Sequence, residues 1–176
     1  MKAVIAGGRE RYDSVLQGLR YFMNPANTGH APDIVLIHDG ARPLIRPETI
    51  NEVIRCTRQC GAAIAAAPCT DTIKIADEKG NITGTTDRSR TWAAQTPQAF
   101  HAEEILQAYE EIIGNRAHDQ GRDLKGITDD AMVYQMAFPE RSVRLVNAGV
   151  QNIKITTPED LGRAELLLSP AGTKSV

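Results

Sequence analysis

The sequence predicts an α/β fold with a mostly parallel sheet, flanking helices and a β-hairpin arm, on three observations. Short apolar runs at residues 2–6, 34–37 and 62–67 each stop at a glycine, a proline or a polar pair, as strands covered on both faces do. Stretches with helical spacing separate these runs. Over residues 71–87 the pattern changes to two short alternating stretches around Glu78-Lys79-Gly80-Asn81, a hairpin standing off the main sheet.

In chain order, residues 2–6 read as a buried strand running into Gly7-Gly8, and Asp13 or Ser14 caps a helix through Val15, Leu19 and Phe22. A loop rich in Pro, Asn and Gly leads to the strand 34–37, which stops at His38-Asp39. Pro47 opens a helix through Ile50, Val53 and Ile54, and Gly61 closes it before the strand 62–67. After the arm, RSRTWAAQTPQAF (88–100) reads as a segment with a rigid proline turn, in which Trp92 packs and Thr96 and Gln98 have fixed directions. A helix over 103–113, a polar loop to Lys125 and a helix opened by Thr128-Asp129-Asp130 follow. Strands at 143–146 and 153–155 precede a last helix, 158–168, whose start at Thr157-Pro158-Glu159-Asp160 combines a cap, a first-turn proline and acids. The expectation is one domain, 1–168, with a frayed tail over 169–176.

Composition narrows the function classes. With 176 residues, 41% hydrophobic and 24% charged, the chain matches an ordinary globular protein, not a disordered or collagen-like one. A net charge of -2 supplies no general basic field for a nucleic-acid backbone or an anionic membrane. No apolar run approaches the ~20 residues of a membrane span, and the first residues do not make a secretory leader, so a cytoplasmic location is expected. Cys56, Cys60 and Cys69 read as reduced thiols, since no histidine near Cys56 and Cys60 completes a metal set.

Polar residues gather where the apolar runs end, the place where open α/β sheets bind ligands. Gly7-Gly8-Arg9-Glu10-Arg11 lets backbone approach a planar ligand and adds cations, with Ser14 one turn on, although Gly-Gly taken alone favours a plain strand-to-helix turn with surface charges. His38-Asp39-Gly40-Ala41-Arg42-Pro43 is more telling. Asp39 can hold a divalent ion or a sugar hydroxyl, and Arg42 can fork onto phosphate. Lys154, between Ile153 and Ile155, is either a solvated edge residue or a point charge directed into a cleft. His30, His101 and His118 read as surface residues, and His38 as a buried, hydrogen-bonded imidazole.

Six ordered motifs then carry a resemblance: GGRERYDSVLQGL (7–19), HDGARP (38–43), DTIK (71–74), TTDRSRTWAAQTPQAF (85–100), ITDDA (127–131) and NIKITTPEDL (152–161). Together they resemble the 2-C-methyl-D-erythritol 4-phosphate cytidylyltransferase family. The resemblance implies a Rossmann-like sheet and transfer of CMP from CTP to a sugar-alcohol phosphate, with Mg2+ and release of pyrophosphate, in non-mevalonate isoprenoid biosynthesis. It places Gly8, Arg9, Ser14 and Gly40 at the nucleotide. Asp39, Arg42 and Lys154 fall at catalytic positions, with Asp39 near the metal, and Thr85, Thr96, Thr128 and Lys154 at the substrate. Thr85 matches a position that reaches into a partner's site, in a homodimer joined through the arm.

The same resemblance exposes departures. The family pattern opens with a strand and a glycine-rich loop whose Arg and Lys embrace the triphosphate, then a further strand-helix unit; Met1 stands where the third strand of that pattern begins. Ala102 occupies a position where some members place a cation. Deleting the first two strands from the family order 3-2-1-4-6-5-7 leaves about 14 Å between residues 2–6 and 34–37, at ~4.8 Å per strand. Residues 2–6 are therefore expected either to close onto 34–37 or to remain poorly held. Two other readings stay open: a ribitol-type pentitol-phosphate cytidylyltransferase, and a non-catalytic fragment or dimerisation module.

Overall fold

The chain, seen in a computed structural model that describes residues 3–114, 124 and 126–169, alternates helices and short strands. Its first half runs α1 (Arg11–Met23), the single turn α2 (Pro25–Thr28), β1 (Ile34–Ile37), α3 (Pro47–Cys60) and β2 (Ala62–Pro68), then the hairpin β3 (Lys74–Ala76) and β4 (Ile82–Thr85). Its second half runs β5 (Trp92–His101), α4 (Ala102–Ile112), α5 (Asp130–Ala137), β6 (Arg144–Asn147) and α6 (Pro158–Leu168).

Strand β2 shows how the layers form. Its side chains alternate, so Ala62 and Ile64 face one core and Ala63 and Ala65 face another. On the first side, α1, α4 and α5 bring Leu16, Leu19, Ile105, Tyr109, Val133 and Tyr134 against Ile64 and Phe100. On the second, α3 brings Val53 and Cys56 against Ala63, Ala65, Ala99 and Val146. Burial on both faces is why this strand reads as an unbroken run of small apolar residues. Gly61 ends α3 at φ +88, a conformation that suits a residue without Cβ.

The main sheet has the order β1-β5-β2-β6, and the arm β3-β4 forms its own two-stranded sheet. Strands β1, β2 and β6 run in one direction and β5 runs against them. The α/β class, the mostly parallel strands and the hairpin arm are thus as expected.

Four local expectations are corrected. Residues 3–6 form no strand, and Val4 is 81% exposed, because among the described residues β1 pairs with β5 alone and no ladder takes this segment in. Of the two outcomes expected for this segment, it is the unpaired one. Helix α1 starts at Arg11, with the Glu10 N–H donating to Asp13 Oδ2 (3.2 Å), rather than being capped by Asp13 or Ser14. The proline segment is the central strand β5, not a turn. Its register with β2 jumps from Gln98 opposite Ile64 to Ala94 opposite Ala66, so Pro97 sits in a bulge where no ladder needs its missing N–H. Residues 153–155 are extended but join no ladder, held instead by the Ile155 N–H on Ala41 O (2.8 Å). The polar loop to Lys125 lies largely outside the described residues, as do His118 and the tail from 170.

Candidate functional site

Where β1 ends, three segments converge. The turn after β1 carries His38, Asp39 and Arg42; the β5 bulge carries Gln95 and Thr96; the stretch before α6 carries Asn152 and Lys154. Thr96 Oγ1 accepts from the Asp39 N–H (2.9 Å) and lies 3.0 Å from His38 Nδ1. His38 Nε2 lies 3.1 Å from Arg42 O, so one imidazole spans the turn. His38 is exposed rather than buried, while both ring nitrogens have partners. Arg42 Nη1 donates to Asn152 O (2.7 Å), and the buried Asn152 Nδ2 donates to Gln95 Oε1 and Thr96 O, both at 2.9 Å. The backbone around Lys154 is thereby fixed to the strand ends.

The result is a charge cluster. Lys154 Nζ lies 3.2 Å and Arg42 Nε 3.5 Å from Asp39 Oδ2. Burial pushes the Asp39 carboxyl up, but the hydrogen bond and charge of Lys154, with Arg11 and Arg42 adding, hold it below the usual carboxylate range. A depressed carboxylate stabilises the fold above its unfolded value, near 3.8, and that contribution disappears as pH falls through the lower folded value. Asp39 is therefore ionised throughout neutral pH. Lys154→Met is expected to move the Asp39 titration midpoint upward in carboxyl 13C spectra; an unmoved midpoint would show that the lysine does not set this charge.

Arg11, the first residue of α1, is near enough for its charge to help lower the Asp39 carboxyl, and the loop before it is folded onto the same helix. Gly8 N–H donates to Ser14 Oγ (3.0 Å), whose hydroxyl donates to Glu10 O (3.3 Å), folding the loop onto the first turn of the helix. A Cβ at Gly8 would lie 2.1 Å from Asp13 Cβ, so only glycine fits there. Arg9 and Gly40 are exposed. Thr128 is exposed just before α5, with its hydroxyl on Met132 Sδ (3.2 Å). Thr85 is not part of this cluster: it lies on the arm and accepts from Lys74 Nζ (2.8 Å).

Two connections were not expected from sequence. Gln98 Oε1 accepts from the N–H groups of Asp130 and Ala131 (3.0 and 2.9 Å), and its Nε2 donates to Asp129 Oδ2 (3.0 Å). Arg11 forks onto the buried Asp130 carboxylate at 2.8 and 2.6 Å, across 119 residues of sequence. No local pattern announces such a pair. A cavity of about 760 Å3, lined by Ile34, Leu36, Ile54, Arg58 and His101, opens at the other end of β1. Asp33, Glu103 and Glu104 also line it, but they stand away from the end of β1 where Asp39, Arg42 and Lys154 meet, so the charge cluster and not the cavity is taken as the site.

One ionised acid among cations where the strands end marks an α/β protein with its polar residues gathered at the place where open sheets of this class take ligands. The family model for 2-C-methyl-D-erythritol 4-phosphate cytidylyltransferase matches residues 2–170, and the chain belongs to that family. It is 41% identical to the enzyme of that name from Pelodictyon phaeoclathratiforme, over 99% of this chain and 70% of the relative. With the Lachnospira eligens enzyme it shares 42% identity, over 94% of this chain and 66% of the relative. Two other relatives, from Syntrophus aciditrophicus and Chlorobium phaeobacteroides, are spanned over 65% and 64% of their lengths. Among solved structures, 4-diphosphocytidyl-2C-methyl-D-erythritol synthase from Anaerococcus prevotii superposes with a TM-score of 0.79 at 30% identity, covering 93% of this chain and 68% of that one. The Thermus thermophilus cytidylyltransferase gives 0.71 at 28% identity, covering 93% and 71%. Among the described residues no helix is long and apolar enough to cross a membrane.

Proposed function

We propose that this chain takes part in transfer of CMP from CTP to 2-C-methyl-D-erythritol 4-phosphate with release of pyrophosphate, the reaction its family is named for. The observation that carries the reading is the placement of Asp39, Arg42 and Lys154 together where β1 ends, with the charge of Arg11 at the start of α1 within reach of Asp39. Joining two phosphates brings anions together, so catalysis consists of holding both in line while positive charge screens the approach. Lys154 and Arg42 supply such charge. Gly8, Arg9, Ser14 and Gly40 are proposed to line the nucleotide side, and Thr96, Thr128 and Lys154 the substrate side. Among the described residues no three acids, histidines or cysteines cluster as a metal cage. One ionised carboxylate suits Mg2+, which is commonly held by one or two protein oxygens with phosphates and water completing the shell. Asp39 would hold the ion, which supplies charge neutralisation on the phosphates when bound. The arm exposes Ile75 at 54% and Ile82 at 67%, apolar surface in keeping with a homodimer joined there, in which Thr85 would serve the partner's site. Cytoplasmic CTP is the substrate pool this reading requires.

Titration calorimetry with CTP and Mg2+, followed by a pyrophosphate-release assay, tests the reading. Micromolar binding and turnover with methylerythritol phosphate, greater than with ribitol phosphate, are expected. No CTP binding would assign this chain a non-catalytic role, and a preference for ribitol phosphate would reassign its substrate.

A further inference from the structure

Among the described residues, Arg11–Asp130 is the one ion pair that joins a fully buried acid to the margin of the proposed site. The Asp130 side chain has no exposure, and its oxygens are all engaged: Oδ1 accepts from Arg11 Nη1 and from the Tyr109 hydroxyl, Oδ2 from Arg11 Nη2. That hydrogen bonding in turn holds the Arg11 guanidinium charged, against the cost of its partial burial. Arg11 is the first residue of α1, and the loop bearing Gly8 and Arg9 is tied to the next turn of that helix through Ser14. Asp130 opens α5, whose first two N–H groups are fixed to the sheet by Gln98. The place of the loop therefore depends on a fork between one helix start and another.

We propose that Arg11 is a positioning residue for the nucleotide: its bidentate grip on Asp130 sets where the Gly8–Arg9 loop stands relative to the sheet. The proposal rests on the cytidylyltransferase reading for what the loop holds, but not for how the loop is held. Lysine keeps the charge of arginine and cannot reproduce its planar fork. If geometry is what matters, Arg11→Lys will resemble Arg11→Gln rather than the unaltered chain.

Two measurements on the full chain decide this. In the release assay, both variants are expected to raise the KM for CTP about tenfold or more while leaving that for the sugar phosphate within about twofold. Amide hydrogen exchange, which needs no nucleotide, is expected to show protection across α1 falling about tenfold in both variants, with β2 unchanged. The proposal is overturned if Arg11→Lys behaves as the unaltered chain in either measurement, or if α1 keeps its protection in Arg11→Gln. Should the unaltered chain bind no CTP, the cytidylyltransferase reading fails, and exchange alone still decides whether the pair holds the loop.

Discussion

Replacing Lys154 by Met is expected to lower pyrophosphate release by about a hundredfold or more, with thermal stability almost unchanged. The two effects separate because of how the residue is held. The half-buried Ile153 and Ile155 flank Lys154, and the Ile155 N–H on Ala41 O anchors the stretch, none of which uses the lysine side chain. The lysine side chain is half exposed, and its ammonium meets Asp39 at 3.2 Å. Exposed pairs of this kind contribute ~0–1 kcal/mol to stability, since solvent screens them and ordering the side chain offsets the attraction. A charged hydrogen bond directed at developing phosphate charge is different: its loss costs about 3 kcal/mol in the transition state, or ~10² in rate. Methionine keeps the apolar stem, so the comparison isolates charge. Release within about threefold of the unaltered chain at saturating substrate would remove Lys154 from the chemistry.

Much of this site was legible because it is built from local patterns. Asp39 and Arg42 lie three residues apart directly after the apolar run that forms the half-buried edge strand β1, and Gly8 and Ser14 bracket a helix start, so sequence alone brings each pair close. The relation between the pairs was not legible. It passes through β5, where proline in QTPQ signals a turn to any reading of propensity, and only the bulge between the Ile64 and Ala66 pairings reconciles that proline with a central strand. Residues 3–6 mislead in the opposite sense. Their composition is that of a strand, yet a strand requires a neighbour's hydrogen bonds, which a single run of sequence cannot show. Arg11 and Asp130 each look like an ordinary charge near a helix N-terminus. Only the fold, by packing α1 and α5 on the same side of the sheet, makes them one pair.

Gln98 carries the largest expected effect on stability. A helix begins with N–H groups that have no partner within the helix, and in α5 three of them are accounted for: Gln98 Oε1 accepts from Asp130 and Ala131, and Asp129 Oδ1 from Met132. Gln98 is 1% exposed, so truncating it leaves two buried donors without water to replace the lost acceptor. Orphaned buried donors cost about 1–3 kcal/mol each. Gln98→Ala is accordingly expected to destabilise by about 3 kcal/mol, which at ~2–4 °C per kcal/mol for a chain this long lowers Tm by roughly 6–12 °C. A cavity would give the same sign, and Gln98→Met separates the two causes, because methionine fills the volume and accepts hydrogen bonds only weakly. If Gln98→Met recovers most of the loss in calorimetric melting, packing was the cause and the helix start does not depend on this amide. If it stays close to Gln98→Ala, the amide is what fixes α5 to the sheet, and with it both Asp130, the anchor of Arg11, and Thr128 on the proposed substrate side.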